Sequence, residues 1–271
     1  MNISILFENM KKISVLIAIA FLLTSCGSVP LTGRRQMLLI SDNELMTASL
    51  SQYDDYLKTA PLSTDRTATS TVESVGKRIA EATEQYLKQN GLERELVNFQ
   101  WDFKLVKDNQ VNAFCMPGGK IVVFEGLLPL TASDDELAVV IGHEIGHAVA
   151  KHSNERMSQE VVAQYGAAII DAALSTKSSA IQTLGNTVFG LGAQVGVMLP
   201  YSRQHEYEAD YLGMILMTLA GYNPESSISF WQKMSAGGSG SGSDFLSTHP
   251  SDEKRIAELQ KRLPEMAKYK K

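Results

Sequence analysis

Cysteine is nearly missing from this chain of 271 residues, with Cys26 and Cys115 the only two. That excludes a disulfide framework and a cysteine-ligated metal cluster, so stability has to come from a hydrophobic core. No block of basic residues occurs, and 25 Lys plus Arg stand against 30 Asp plus Glu, a formal charge of −5. Such a chain is a poor partner for nucleic acid, and none is expected. No internal repeat is visible, which sets solenoids and propellers aside. With 20 Gly, 8 Pro, 44% hydrophobic and 20% charged residues, the composition is neither collagen-like nor disordered. One large globular domain is expected.

The most apolar stretch, Ile13 to Leu23, follows Lys11 and Lys12 and precedes Thr24, Ser25 and Cys26. A basic start, a short apolar run and small residues make a secretory signal, too short to span a bilayer. Met10, just ahead of the lysines, is its natural start. Leu23 to Cys26 resembles the lipobox of bacterial lipoproteins, which implies that the Cys26 thiol carries the lipid. Gly27 stands where an Asp would resemble an inner-membrane retention signal. Residues 1–25 are thus expected to be a signal peptide, and the protein a periplasmic one held to the membrane by a lipid anchor, the outer membrane favoured.

Residues 26–67 read as a tether and wrapping segment: Pro30, Gly33 and Pro61 break it, one helix covers about 42–58, and no chemistry is visible. Residues 68–271 form the main domain. Apolar positions 72, 75, 79, 82, 86 and 87 predict an amphipathic helix that Asn90 and Gly91 stop. Alternation over 99–106, with residues 111–116 and 121–124 about the turn Pro117 to Lys120, predicts a small three-stranded antiparallel sheet with a tight hairpin. Ser133 followed by Glu136 is a capping box that opens a long helix through Leu137, Val140, Ile141 and Ile145. Further helices are expected over 161–174, 204–220, after Pro224, and over 251–263 with Ser251 as N-cap. The apolar stretch 180–199 carries Gln182, Asn186, Gln194 and several glycines, and reads as a buried or substrate-facing helix rather than a membrane span. Residues 237–243 are a flexible Gly/Ser loop.

His143 and His147 sit inside the capped helix four residues apart, about 40° around its axis, so both imidazoles can reach one ion. Glu144 stands beside them, where it can act on water. A catalytic zinc needs a third protein ligand and an open position. A histidine six residues beyond His147 would suit one pattern, but Ser153 stands there. His152 lies about 180° from His143 on a continued helix and is expected on the surface. Glu206 and Asp210, four apart on a later helix, supply the alternative: Glu206 as ligand, Asp210 as the carboxylate behind a ligand histidine. Glu208, about 200° from Glu206, is expected to point elsewhere.

The segments Val111 to Phe114, Pro117 to Gly119, Gly126 to Leu128, Gly142 to Ala148, Ser202 to Asp210 and Thr248 to Pro250 together resemble the zinc metallopeptidases that include the heat-shock protease HtpX and the CaaX prenyl proteases. The likeness is strongest to their soluble periplasmic lipoprotein branch and covers most of residues 70–262. It implies an α+β, zincin-type (gluzincin-like), mainly helical domain with a small sheet, one zinc per chain, Glu206 as the third ligand and metalloendopeptidase activity. After Pro250 only one helix and a basic tail remain, so the C-terminal repeat domain of some relatives is not expected.

The expected reaction is hydrolysis of peptide bonds by metal-activated water, with Glu144 as base and then acid. Extended substrate can pair with a sheet edge at Asn112, Ala113 and Phe114, a mode that reads backbone and suits unfolded or misassembled envelope proteins. Cys115 in that strand is expected to pack rather than attack. His249, between the Gly/Ser loop and the last helix, is expected to act as a resting fourth ligand or an oxyanion donor, against packing beside Pro250. A non-catalytic chaperone or assembly factor on the same fold is the alternative.

Overall fold

The computed structural model describes residues 26–175, 202–236, 249 and 253–270. The signal segment, the stretch 180–199, the Gly/Ser loop and Ser251 lie outside them. In chain order the elements are β1 (Cys26–Ser28), β2 (Arg35–Met37), α1 (Asp42–Thr59), α2 (Arg66–Gln89), β3 (Asp102–Val106), β4 (Ala113–Met116), β5 (Lys120–Phe124), α3 (Asp134–Val149), α4 (His152–Ser175), α5 (Arg203–Leu219), α6 (Ser226–Ala236) and α7 (Glu253–Arg262). No helix among the described residues is long and apolar enough to cross a membrane.

The fold is mostly helical with one small sheet in the order β3-β5-β4, beside a short β1–β2 pair. The expected hairpin is antiparallel, with Ala113 opposite Val123 and Cys115 opposite Ile121. Its turn needs glycine, because Gly118 and Gly119 adopt φ of 92° and 78°. β3 joins β5 in parallel rather than antiparallel, Phe103 opposite Ile121. Every residue of β5 is buried, as a central strand should be. Leu62 bridges Val106 on the far side of β3, so β4 is the edge left open among the described residues.

α3 is the axis of the domain. Ser133 caps it by accepting the N–H of Glu136, while the Glu136 carboxylate takes the N–H of Ala132, one residue earlier than in the reciprocal box. Nearly all of the helix is buried, from Glu136 through His147. α2 and β4 pack on it, and Ile141, Ile145 and Val140 join Phe103, Leu127, Ile215 and Trp231 in the main core. Against α5 it packs without side chains between: a Cβ on Gly213 would lie 2.8 Å from Gly142 C and His143 N, and one on Gly146 2.8 Å from Ala209 O. Backbone cannot yield there as a flexible side chain would. Gly213→Ala should therefore cost about 1–3 kcal/mol of stability by forcing the helices apart. Urea unfolding checks this, and a free energy equal to wild type would refute the tight crossing.

Candidate metal centre

The crossing of α3 and α5 brings together the residues that the motifs single out. His143, His147, Glu206 and His249 each offer a ligand atom, and the four atoms lie within 4.8 Å of one another, all buried. His143 Nε2 is 3.0 Å from His147 Nε2 and 3.1 Å from His249 Nδ1. Glu206 places Oε2 3.4 Å from His143 Nε2 and Oε1 3.4 Å from His147 Nε2 and 3.1 Å from His249 Nδ1. A tetrahedral zinc with ligands at 2.0–2.1 Å has edges of about 3.3 Å, so the spacing and the donor set of three imidazoles and a carboxylate fit one zinc ion.

Each α3 histidine is held from behind. Asp210 Oδ1 accepts from His143 Nδ1 at 2.9 Å, which turns Nε2 toward the other donors. Arg255, missing from the sequence reading, locks that carboxylate: its Nε and second terminal nitrogen each lie 2.7 Å from Asp210, and a third nitrogen lies 3.0 Å from Glu206 Oε2. It is fully buried and lies over Trp231, 3.6 Å from the ring centre. Its signal was its place four residues before Leu259, on the buried face of α7.

One expectation here needs correction. His152 is not on the surface: it is fully buried, with Nδ1 2.9 Å from His147 Nδ1. α3 ends at Val149 and Lys151 takes a left-handed φ of 55°, so α4 starts in a new direction and the rotation of a continued helix does not apply. Glu208 does point away from the donor cluster, and on that other side its Oε2 is 3.0 Å from His152 Nε2. α5 is buried on several faces, so the two sides of the helix reach two different histidines of one site.

Glu144 faces the donor cluster. Its carboxylate takes the backbone N–H of Cys115 in β4, while Oε1 is buried without a hydrogen bond, 3.4 Å from His249 Nε2. Burial is the main reason its pKa is raised, and the neighbouring Glu206 adds to it. Burial and the Glu144 charge push the Cys115 thiol up, which keeps it a neutral packed group as expected. Burial opposes charge on His143, yet its bonds to Asp210 and Glu206 outweigh this and raise its pKa to about 9. Burial lowers His147 far below its usual value and leaves it neutral. Glu206 stays ionised in spite of burial because of His249, His143 and His147.

Along β4 the Asn112 carbonyl accepts from Phe124 N–H, so residues 112, 114 and 116 pair with β5. In an antiparallel ladder the next residues, Ala113 and Cys115, then aim their backbone groups at the open edge. Of the three substrate-strand candidates, Ala113 has that orientation and Asn112 and Phe114 do not. Cys26, the expected lipid site, opens β1 opposite Met37.

A family model described as peptidase family M48 matches residues 67–263. Among similar proteins, the mitochondrial metalloendopeptidase OMA1 of Schizosaccharomyces pombe is 37% identical over 170 residues, 62% of this chain and 48% of that protein. The human metalloendopeptidase OMA1, mitochondrial, is 26% identical over 272 residues, 94% of this chain and 49% of its own length. The beta-barrel assembly-enhancing protease of Escherichia coli is 26% identical over 216 residues, 76% of this chain and 41% of its length. The chain thus spans about half the length of these relatives or less. Relatives named as mitochondrial, from fungi, plant and animals, overturn the expected periplasmic, outer-membrane location. A short apolar run after two lysines carries the physics of membrane engagement, not the identity of the membrane.

The arrangement sets two measurable outcomes. The protein should bind about one zinc, His143→Ala or His147→Ala should abolish binding, and Asp210→Asn should weaken it about 10- to 100-fold. Full occupancy in either alanine variant would rule out this donor set. Because the metal-free site holds a proton on His143 up to about pH 9, metal entry expels it. Zinc affinity should rise about tenfold per pH unit up to that value and level off above it. Chelator competition across pH 6 to 10 reads this, and a flat profile would contradict it.

Proposed function

The chain belongs to peptidase family M48, and on that premise we propose that it is a zinc-dependent endopeptidase that hydrolyses peptide bonds in unfolded or misassembled proteins laid along β4. One observation carries the reading: a single carboxylate, Glu144, touches both parts of the machinery. It bonds the edge strand through Cys115 N–H and turns a bare oxygen to the donor cluster. A peptide paired with Ala113 and the Cys115 carbonyl of β4 would run past Glu144 and the two histidines of α3. Pairing of that kind uses backbone groups and asks for an extended chain, which a folded protein does not offer.

Bound zinc would polarise the scissile carbonyl and lower the pKa of a water to about 7. Glu144 Oε1 is placed to take a proton from an attacking water and to deliver it to the leaving amine nitrogen. Its buried position, where ionisation is already opposed, suits a group that must hold a proton for part of the cycle. Asp210 and Arg255 keep His143 turned toward the cluster while this happens. His249 stands among the donors and has two roles open to it, a resting ligand that keeps the enzyme latent or a donor to the developing oxyanion. Attachment to a membrane through a lipid on Cys26 belongs to the same proposal and rests on the lipobox-like Leu23 to Cys26 alone.

Glu144→Gln should retain zinc and lose about 10²- to 10⁴-fold in cleavage of an unfolded protein. Wild-type cleavage by that variant would remove Glu144 as the base, and absence of cleavage by the wild-type protein would favour the assembly-factor alternative. His249→Ala should raise basal cleavage if the residue is a latch and lower kcat by about 10² or more if it is an oxyanion donor. Unchanged cleavage of both a peptide and an unfolded protein would remove both roles.

A further inference from the structure

Behind His147 the support does not end at Glu208. Between β1 and β2 the chain turns through Leu31 and Gly33, both with positive φ (67° and 69°), and the turn is closed by Gly33 N–H on Val29 O and Val29 N–H on Arg34 O. This sets Thr32 and Arg34 against the same carboxylate. Thr32 Oγ1 donates to Glu208 Oε1, and Arg34 Nε donates to Glu208 Oε2 at 2.6 Å. The other two guanidinium nitrogens of Arg34 grip both oxygens of Glu155 at 2.8 and 2.6 Å. Glu155 in turn holds His205 Nε2 at 3.1 Å, and the His205 ring stacks on His152 with centroids 4.5 Å apart. One arginine thus fixes two buried carboxylates, Glu208 bonded to His152 and Glu155 bonded to the His205 ring that stacks on it.

The direction of the protons follows from the acceptors. A carboxylate oxygen paired with Arg34 only accepts, so His152 Nε2 donates to Glu208. A single proton lies between His152 Nδ1 and His147 Nδ1. If His152 supplied it as well, His147 would carry its own proton on Nε2, inside the donor cluster. His147 therefore donates from Nδ1, and its Nε2 is bare for a metal.

We propose that Arg34, with Thr32, is a positioning residue of the metal centre: through Glu208 and His152 it sets the orientation and tautomer of His147. The segment 26–40 is then part of the zinc site and not only a tether. The inference rests on the reading of His143, His147 and Glu206 as zinc ligands. It extends the support of each ligand histidine to a different end of the described chain, Arg255 near one and Arg34 near the other.

The test is zinc affinity of the full chain, stripped of metal and titrated against a chromogenic chelator. Arg34→Met should raise the zinc Kd about tenfold or more. Arg34→Lys should recover only part of the loss, since one ammonium cannot bridge Glu208 and Glu155 as the guanidinium does. In a Glu208→Gln background Arg34→Met should add less than about twofold, because the path from Arg34 to His147 is already cut. If Arg34→Met does not fold, Arg34→Lys and Thr32→Val replace it in the same cycle, each expected to weaken zinc severalfold alone and little beside Glu208→Gln. Affinity within twofold of wild type in the folded single variants, or a full additional loss in the Glu208→Gln background, would overturn the proposal. Failure of the wild-type chain to bind zinc would instead overturn the metal reading, and this inference with it.

Discussion

Where Gly142 and Gly146 of α3 face Gly213 and Ala209 of α5, carbonyl and Cα atoms carry the contact with no side chain between them. Glutamate is a short arm, and Glu206 reaches Nε2 of both His143 and His147 at 3.4 Å because the helices come this near. A glycine inside a helix costs about 1 kcal/mol relative to alanine, and this crossing holds three of them. The core around α3 offsets that cost, with Ile141, Ile145, Ile215 and Trp231 buried on the faces that the glycines leave free. Packing that looks unfavourable within each helix is thus what places a carboxylate from one helix over two imidazoles from the other.

Bringing acids this close without water raises an electrostatic demand. Glu144, Glu206 and Asp210 are buried together, and Arg255 answers only one of their charges. A buried charge left without a partner is costly, on the order of 3–5 kcal/mol when a pair is broken. A divalent cation among the four donors would cancel the excess. In its absence His143 takes a proton, held by Asp210 and Glu206 against the cost of burial. Metal and proton compete for the same negative cavity, so the affinity of the site for zinc and its charge balance are one property.

Much of this was legible in the chain because it is local. The four-residue spacing of His143 and His147, the Ser133 cap and the hairpin turn are written in consecutive residues, and the structure holds all three. Glu206 and Asp210 were legible as a pair on one helical face, and once the first helix is taken as a metal helix their role follows. His152 was misread because helical rotation was carried across Lys151, whose left-handed φ no residue pattern announces. Arg34 was not legible and Arg255 only by its spacing from Leu259, since an arginine in a loop or on an amphipathic helix reads as solvated until the fold shows acids around it. The parallel pairing of β3 with β5 follows from the strand order β3-β5-β4, in which β5 rather than β4 lies beside β3, and no alternation of residues encodes that order.

Two relays end at the two histidines, and they come from opposite ends of the described fold. Arg255 near the C-terminus backs Asp210 and His143, while Arg34 near the N-terminus stands behind Glu208, His152 and His147. The motif on α3 therefore does not make a site alone. Each imidazole is held with Nε2 toward the donor cluster only when a distant segment has docked and fixed its orientation. Since metal binds the folded arrangement and not the open chain, docking of either segment and uptake of zinc stabilise one another. Loosening at one end reaches the histidine on that side first, through a row of hydrogen bonds rather than through the core. The metal centre thus reports on the integrity of the whole domain, from its first strand pair to its last helix.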